Sequence, residues 1–175
     1  MIGGGPAAIL QGLPPILDTG VTTLILGSFP SPASLAVQRY YGHRQNQFWR
    51  LLGALFDEPL AELDYADRQR SLLRHHIGVW DAYRRCQRQG ALDSAIKAAE
   101  INDFSSLPIA APQLQRVCFN GQTAGKLSGW FAARGYETRV LPSSSPAYTL
   151  AFDDKLERWR AALRSATAAD HVIAR

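Results

Sequence analysis

Polar and aromatic side chains are concentrated in the stretch LILGSFPSPASLAVQRYYGHRQNQFWRLLGALF, which joins an apolar segment to an amphipathic one. Tyr40 and Tyr41 could form a wall for a planar ligand, and the Asn46 side chain could orient a water molecule. Asparagine is also a good N-cap, and Asn46 begins the amphipathic segment, so a purely structural role explains it equally well. Core packing alone does not require this mixture, so we expect the connection to form part of a binding site.

The first loop of that stretch, GSFPSP, begins with Gly27, Ser28 and Phe29. It could be a simple strand exit, with glycine for a free backbone and two prolines for stiffness. It could also aim backbone N–H groups at an anion or a reacting base, with Phe29 as a stacking surface.

A second polar loop, PSSSPAY, carries three consecutive hydroxyls near the C-terminal end of the chain. Ser143, Ser144 and Ser145 could form a solvated turn between two prolines. Alternatively, clustered hydroxyl and N–H groups could hold a phosphate without using a formal charge.

Two further polar groups end short apolar segments, Asp81 after Trp80 and Asn120 before a glycine. Asp81 could pair with Arg84 or Arg85, or it could accept a hydrogen bond from a ring N–H group of a ligand.

Several common chemistries lack their residues in this sequence. His43, His75 and His76 have no flanking carboxylate pair, so we expect no metal site. The chain has neither the GxSxG turn of serine hydrolases nor the GxxxxGK[ST] loop of nucleotidases.

The composition indicates one globular domain over the 175 residues, with 46% hydrophobic and 19% charged residues. A net charge of +4 suits a polyanionic partner without requiring one. The two cysteines have no CxxC spacing, which favours reduced thiols and a cytoplasmic protein. We expect residues 1–20 to form an extended lead-in, and we expect no signal peptide and no membrane span.

The apolar periodicity places the polar residues at the ends of strands. We predict strands over 21–26, 77–82, 115–121 and 136–142. We predict helices from Asn46 onward, over 64–76, from residue 121 through Phe131, and from Phe152 through Leu163. Strands that alternate with helices indicate a parallel sheet covered on both faces, with ligands bound beyond the carboxyl ends of its strands. All four polar loops should therefore meet at one edge.

Six segments occur in an order that resembles one known family: GSFPSPASL, YYGHRQNQFW, GVWDAYRRCQRQGALDSAI, INDFSSL, CFNGQTA and LPSSSPAY. Together they resemble the hypoxanthine (deoxyinosine) branch of the uracil-DNA glycosylase superfamily, from Leu24 to about Trp159. The resemblance implies an α/β fold, a three-layer α/β/α sandwich with a central, mainly parallel four-stranded sheet. It also implies cofactor-free hydrolysis of the bond between a damaged base and deoxyribose, with double-stranded DNA carrying a deaminated base as the partner of a monomeric enzyme.

The resemblance assigns roles to most of the candidate residues. Uracil-directed members carry an Asp or Asn in the first loop, where this chain has none, and the hypoxanthine branch assigns the polar role to the position of Asn46. We expect Gly27 and Ser28 to complete the catalytic set. The remaining expected site residues are, for the base, Phe29, Tyr40, Tyr41, Trp80, Asp81 and Asn120, and, for the DNA backbone or vacated stack, Ser143, Ser144, Ser145 and Tyr148.

The chain departs from the usual motif sequences of this branch at three positions. Ser31 replaces a common glycine, Arg44 a common proline and Ser144 a common threonine. None of these changes removes an expected catalytic group, although Arg44 could alter the path of its loop.

Three alternatives to hypoxanthine excision remain open from the sequence. The same chemistry could act on uracil, or on uracil or thymine mispaired with guanine. The scaffold could bind DNA damage without catalysis, or it could act on free nucleosides.

Overall fold

The computed structural model describes residues 7–164. Its strands are β1 (Ile9–Gln11), β2 (Thr23–Gly27), β3 (Ile77–Asp81), β4 (Tyr83–Gln87), β5 (Lys97–Ile101), β6 (Arg116–Asn120) and β7 (Glu137–Leu141). Its α-helices are α1 (Pro32–Val37), α2 (Phe48–Phe56), α3 (Tyr65–Arg74), α4 (Leu107–Ala110), α5 (Gln122–Gly125), α6 (Ser128–Ala132) and α7 (Phe152–Leu163). Short 3-10 turns occupy Leu60–Glu62 and Asp93–Ala95.

Four strands form a fully parallel central sheet in the order β3-β2-β6-β7. The two middle strands, TLILG and RVCFN, are mostly apolar and almost wholly buried, as expected for strands covered on both faces. All four predicted strands are present, with ends that differ by one or two residues from the prediction.

Alternating side chains of the central sheet enter two separate cores. Ile25, Val79 and Cys118 pack on one face with residues of α2, α3 and α7. Leu24 and Phe119 pack on the other face, in a core that includes Phe131 of α6 and Leu107 of α4. The predicted three-layer α/β/α architecture with a four-stranded parallel sheet is confirmed.

A second, three-stranded antiparallel sheet in the order β1-β4-β5 was not predicted. Its first strand lies within the expected lead-in over 1–20, where Ile16 also bridges to Val79 of the central sheet. The part of that lead-in over residues 1–6 lies outside the described residues. The lead-in therefore contributes the edge strand β1 to the second sheet. The neighbouring strand β4 begins beside the end of β2, where the Tyr83 N–H donates to the Ser28 carbonyl.

The helix predicted to run from residue 121 through Phe131 is instead two short helices, α5 and α6. Gly125 ends the first, and a Cβ at that position would lie 3.2 Å from the Val140 methyl groups. Among residues 7–164, none of the helices combines the length and the apolar character that crossing a membrane requires.

Candidate active site

The four parallel strands end at one edge of the sheet, where a cavity of about 500 Å³ opens. This volume lies within the range of about 300–1,000 Å³ that is usual for small-molecule sites. The cavity brings together every expected site residue except Trp80. Its lining includes Gly27, Ser28, Phe29, Tyr40, Tyr41, Asn46, Asp81, Asn120, Ser143, Ser144, Ser145 and Tyr148.

Gly27 is the point where two polar side chains approach the backbone most closely. A Cβ at this position would lie 2.6 Å from Asp81 Oδ1 and 2.9 Å from the Tyr41 hydroxyl oxygen. Any side chain larger than hydrogen would therefore displace one of them. The glycine that ends β2 thus allows a carboxyl group and a phenol to lie together over the floor of the cavity.

Asp81 ends β3 and is only 4% exposed. Its Oδ2 is buried and accepts no hydrogen bond from the described residues, and the backbone carbonyl of Asp81 accepts from Asn102 Nδ2 at 2.8 Å. Burial, followed by the negative charge of Asp93, raises the pKa of Asp81 to about 7, and Arg88 opposes that rise. The side chain pairs with neither Arg84 nor Arg85, which both bind Glu100 instead.

Asp93 is a second carboxylate in the cavity lining, and the sequence analysis did not identify it. It lies in the turn between β4 and β5, and its Oδ1 accepts a hydrogen bond from the Ser28 hydroxyl at 2.7 Å. The only available signal was its position inside one of the six quoted segments. Ala91, Leu92 and Ser94 line the cavity beside it.

Asn46 precedes the N-cap of α2, because the helix begins at Phe48 with Gln47 as its N-cap, two residues later than predicted. Its side-chain oxygen accepts from the Phe48 N–H at 3.0 Å, at the start of α2. That contact fixes the side chain at the cavity wall and leaves the amide NH2 group and a second oxygen lone pair for a ligand or water. The structural and functional interpretations of Asn46 are therefore compatible.

Tyr41 adopts a left-handed backbone conformation, with φ of 53°, which is uncommon for a side chain of this size. Its ring stacks on Phe48 with centroids 3.9 Å apart. Burial raises the pKa of the Tyr41 phenol, so the group is a neutral hydroxyl near neutral pH. Tyr40, the preceding residue, is buried in the first core and donates its hydroxyl to the Leu13 carbonyl at 3.2 Å, and it also lines the cavity.

Asn120 connects the end of β6 to the serine loop. Its Nδ2 donates to the Tyr41 hydroxyl at 3.1 Å and to Ser144 Oγ at 2.9 Å, and its Oδ1 accepts from the Ser144 N–H at 2.9 Å. Both amide hydrogens are therefore used within the protein. Without a ligand, Asn120 orients Tyr41 and Ser144, and its expected contact with the base stays a prediction.

The three serine hydroxyls are all hydrogen-bond acceptors within the protein. Ser144 Oγ accepts from Asn120, Ser143 Oγ accepts from the Ser145 N–H at 3.1 Å, and Ser145 Oγ accepts from the Ala147 N–H at 3.2 Å. Gly121, with φ of +95°, brings its backbone against Ser143, because a Cβ there would lie 3.3 Å from Ser143 Cβ. The serine loop is thus fixed both by its own hydrogen bonds and by contacts with Asn120 and Gly121.

Phe29 is 7% exposed and lies in the cavity lining. The guanidinium of Arg88 lies 5.4 Å from the centre of its ring and donates to the Pro30 carbonyl at 2.5 Å. Arg88 is itself buried. Through Arg88, which directly follows β4, the second sheet therefore fixes the loop after β2.

Trp80 is not brought to the cavity. It packs in the second core, where its ring contacts Phe104 edge-on with centroids 5.1 Å apart. Side chains alternate along a strand, so Trp80 and its neighbour Asp81 point to opposite sides. Trp80 therefore lies outside the cavity lining, and its expected contact with the base stays a prediction without support from this geometry.

Within residues 7–164, no three His, Cys, Asp or Glu side chains are grouped as metal ligands would be. The polar groups in the cavity lining include the Asp81 and Asp93 carboxyls, the Tyr41 hydroxyl, the Asn46 amide and the serine hydroxyls. This set can bind a flat heterocycle with hydrogen-bonding edges beside an anion, and it can hold a water molecule.

The cavity and its sheet agree with what the chain is similar to. A chain named hypoxanthine DNA glycosylase from Methanosarcina acetivorans is 42% identical over 156 residues, which are 89% of this chain and 99% of the relative. A protein of the same name from Methanosarcina barkeri is also 42% identical, over 88% of this chain and 98% of the relative. A solution NMR structure from Methanosarcina acetivorans, titled as a uracil DNA glycosylase, superposes with a TM-score of 0.82 at 41% identity, covering 90% of this chain and 98% of that one.

The family model described as the Uracil DNA glycosylase superfamily matches residues 14–166, which include all four strands of the central sheet and every residue of the cavity lining. The chain therefore belongs to the uracil DNA glycosylase superfamily.

Proposed function

We propose that this protein is a monomeric, cytoplasmic DNA glycosylase that removes hypoxanthine from double-stranded DNA and leaves an abasic site. The observation that carries the proposal is the cavity at the strand ends, which combines Asn46, Asp81 and the serine loop in a space suited to a purine. The names of the two Methanosarcina relatives support the choice of base.

The substrate nucleotide must leave the duplex before the cavity can hold its base. The bond between base and sugar is inaccessible inside stacked DNA, so enzymes of this kind extrude the target nucleotide. The serine loop would hold phosphates beside the extruded nucleotide, through hydroxyl and N–H donors. Tyr148, 45% exposed at the cavity wall, would fill the space left in the stack.

Cleavage of the bond develops positive charge on the sugar and negative charge on the leaving base. The Asn46 side chain would position the attacking water, while the backbone of Gly27, Ser28 and Phe29 donates hydrogen bonds to the base or the water. An amide is too weak a base to deprotonate water early, so we infer that the bond is nearly broken when water adds. Preorganised donors of this kind typically contribute about 3–4 kcal/mol each.

Recognition of hypoxanthine would use the Asp81 carboxylate as the acceptor for the N1–H group. Because both Asn120 amide hydrogens are used within the protein, the donor to O6 would be a backbone N–H or the Tyr41 hydroxyl. Adenine has no hydrogen on N1, so its lone pair would face the carboxylate, at a cost of about 1–3 kcal/mol. Phe29 would stack on the base, with the edges of Tyr40 and Tyr41 closing the wall.

Uracil is the second candidate base, because the similar NMR structure carries a uracil DNA glycosylase name. A uracil ring also presents an N–H donor beside carbonyl acceptors, so the same groups could bind it.

The test is single-turnover excision on duplexes that each carry hypoxanthine, uracil, xanthine or a G·T mismatch. We expect wild type to release hypoxanthine fastest and Asn46→Ala to be slower by about 100-fold or more, with DNA binding nearly unchanged. Gln45→Ala, which changes an exposed neighbour on the same loop, is the matched control and should behave as wild type. If wild type released uracil faster than hypoxanthine, uracil would be the preferred base. Unchanged excision by Asn46→Ala would show that Asn46 does not act in the mechanism.

A further inference from the structure

Helix α7 carries a buried ammonium group whose two hydrogen-bond acceptors are both neutral. Lys155 is 1% exposed, and its Nζ donates to Gln47 Oε1 at 2.9 Å and to the Ser145 carbonyl at 3.3 Å. Both acceptors are neutral, and across residues 7–164 no carboxylate forms an ion pair with Lys155. Burial alone lowers the pKa of this lysine, without any opposing charge.

An unpaired buried charge is costly, because it gives up hydration without gaining a counter-charge. The acidic residues within two positions of it in the chain, Asp153, Asp154 and Glu157, are exposed on α7 and do not pair with it. The free protein therefore holds a positive charge in a place where a neutral side chain would be less costly. Such a group is explained if a ligand supplies the missing negative charge.

The position of the ammonium group indicates where that charge would lie. Nζ contacts the carbonyl of Ser145 from behind the serine loop and lies 5.4 Å from the ring centre of Tyr148. Its other acceptor, Gln47, donates its backbone N–H to the Ser144 carbonyl at 3.0 Å. Lys155 thus lies between the serine loop and the start of α2, next to Asn46.

The serine loop presents the complementary donors. Each hydroxyl oxygen of Ser143, Ser144 and Ser145 already accepts an N–H group, so each hydroxyl hydrogen is left to donate. Ser144 is 1% exposed, so Ser143 and Ser145 are the more accessible O–H donors, and O–H donors beside a fixed positive charge suit an oxyanion.

We propose that Lys155 is the fixed charge of a phosphate site formed with Ser143, Ser144 and Ser145, and that its ligand is one phosphodiester of the damaged DNA strand. The inference rests on the proposed function for the identity of the ligand. The inference adds that the serine loop binds the phosphate through electrostatic attraction as well as through hydrogen bonds. Lys155 is a positioning residue in this scheme, because it acts on the phosphate through the loop and through its charge.

The first measurement is the salt dependence of binding to a duplex that carries a non-cleavable abasic analogue. Neutralising one phosphate-linked cation reduces the slope of log K against log salt by about one. We expect this reduction for Lys155→Met and Lys155→Gln but not for Lys126→Met, which removes an exposed lysine at the end of α5. Lys155→Gln retains N–H donors, so it separates the charge from the two hydrogen bonds if Lys155→Met fails to fold.

The second measurement replaces each phosphate near the lesion, one at a time, by a neutral methylphosphonate. Wild type should lose affinity at one position in particular, and Lys155→Gln should show no further loss at that position. Additive losses at every position, or an unchanged salt slope in a folded Lys155→Gln, would overturn the inference.

Excision of hypoxanthine by wild type is scored separately from these binding measurements. A wild-type protein that binds the analogue with the expected coupling but releases no hypoxanthine would contradict the proposed function and leave the phosphate site standing. The reverse result would contradict the phosphate site alone.

Discussion

Two carboxylates of this molecule, Glu58 and Asp81, have opposite surroundings. Glu58 lies between α2 and α3, where it accepts hydrogen bonds from Ser71, Arg74 and His75. The bond from His75, followed by the one from Ser71, lowers the pKa of Glu58 to about 2. Asp81 is more deeply buried and has an oxygen with no partner, and its pKa is raised to about 7.

The contrast separates a region that serves stability from one that serves binding. Three side chains bond to the Glu58 carboxylate, and one of them, His75, also stacks on Phe56 with centroids 3.8 Å apart. Around Asp81 the fold leaves hydrogen-bonding capacity unused, which raises the free energy of the native state. Unused capacity at a cavity floor is what a ligand with its own donor can exploit.

The largest expected effect is on the stability of Asp81→Asn. The folded protein raises the pKa of Asp81 from 3.8 to about 7, so this side chain favours folding only while protonated. The stabilisation that protonated Asp81 gives the folded state is fully present below about pH 4 and is lost as the pH rises through 7. The shift corresponds to about 4 kcal/mol, and we expect Asp81→Asn to recover on the order of 1–3 kcal/mol at pH 8, because the buried amide also lacks a partner.

Chemical unfolding of wild type and Asp81→Asn at pH 8 and at pH 4.5 measures this difference. The advantage of Asp81→Asn should shrink at the lower pH. If Asp81→Asn were less stable than wild type at pH 8, the Asp81 carboxylate would be paired in the free protein. The contrast drawn between Asp81 and Glu58 would then be wrong.

The next effect concerns how Asp81 acts on the base. If the ionised form accepts from N1–H, single-turnover excision by wild type should rise with pH up to about 7 and then level off. Asp81→Asn would be slower by about tenfold or more at pH 8 and would lose this pH dependence, because an amide does not titrate there.

Rates measured between pH 5.5 and 8.5, for hypoxanthine and for adenine in the same sequence context, test that assignment. A wild-type rate that falls as the pH rises through 7 would show that the protonated carboxyl is the active form. An unaltered preference for hypoxanthine over adenine in Asp81→Asn would place base recognition elsewhere.

The smallest effect is expected from Glu58→Gln, which tests the other member of the comparison. The lowered pKa of Glu58 means that its carboxylate favours folding above about pH 4.5 and loses this effect as the pH falls towards 2. We expect Glu58→Gln to destabilise the protein by on the order of 1 kcal/mol at pH 7, with excision unchanged. Thermal unfolding and the excision assay together check this, and a selective loss of excision would contradict the separation of the two regions.

Much of the central sheet was predictable because three of its strands, β2, β3 and β6, are short, mostly apolar runs that end in glycine, aspartate or asparagine. The periodicity of VTTLIL and QRVCFN indicates burial on both faces, and parallel strands necessarily end at the same edge. The convergence of Gly27, Asp81, Asn120 and the serine loop followed from that geometry. The resemblance then supplied roles that the pattern left open.

The second sheet could not be predicted, since its strands carry no apolar alternation. The strand YRRCQ is half polar, and KAAEI is largely exposed, with Ala98 in a left-handed conformation. These strands are specified by pairing with each other and with β1 across the chain. Asp93 was missed for the same reason, because only that pairing brings it to the cavity.

Lys155 was missed although a signal existed. It precedes Trp159 by four residues and so lies on the same face of α7, which was predicted to point inward. A lysine on an apolar face usually extends its head group to solvent. Its burial depends on Gln47, 108 positions away in the chain, which no local pattern reveals.

The wall formed by Ala91 to Ser94 has a consequence for how lesion preference could be altered. This turn belongs to the antiparallel sheet, while the catalytic candidates belong to the parallel one, and the two are joined through the Arg88 contact with Pro30 and the Ser28 contact with Asp93. Residues 89–92 between those anchor points are exposed. They form a natural segment for directed diversification, where the width of the entrance can be varied while the hydrolytic groups stay in place.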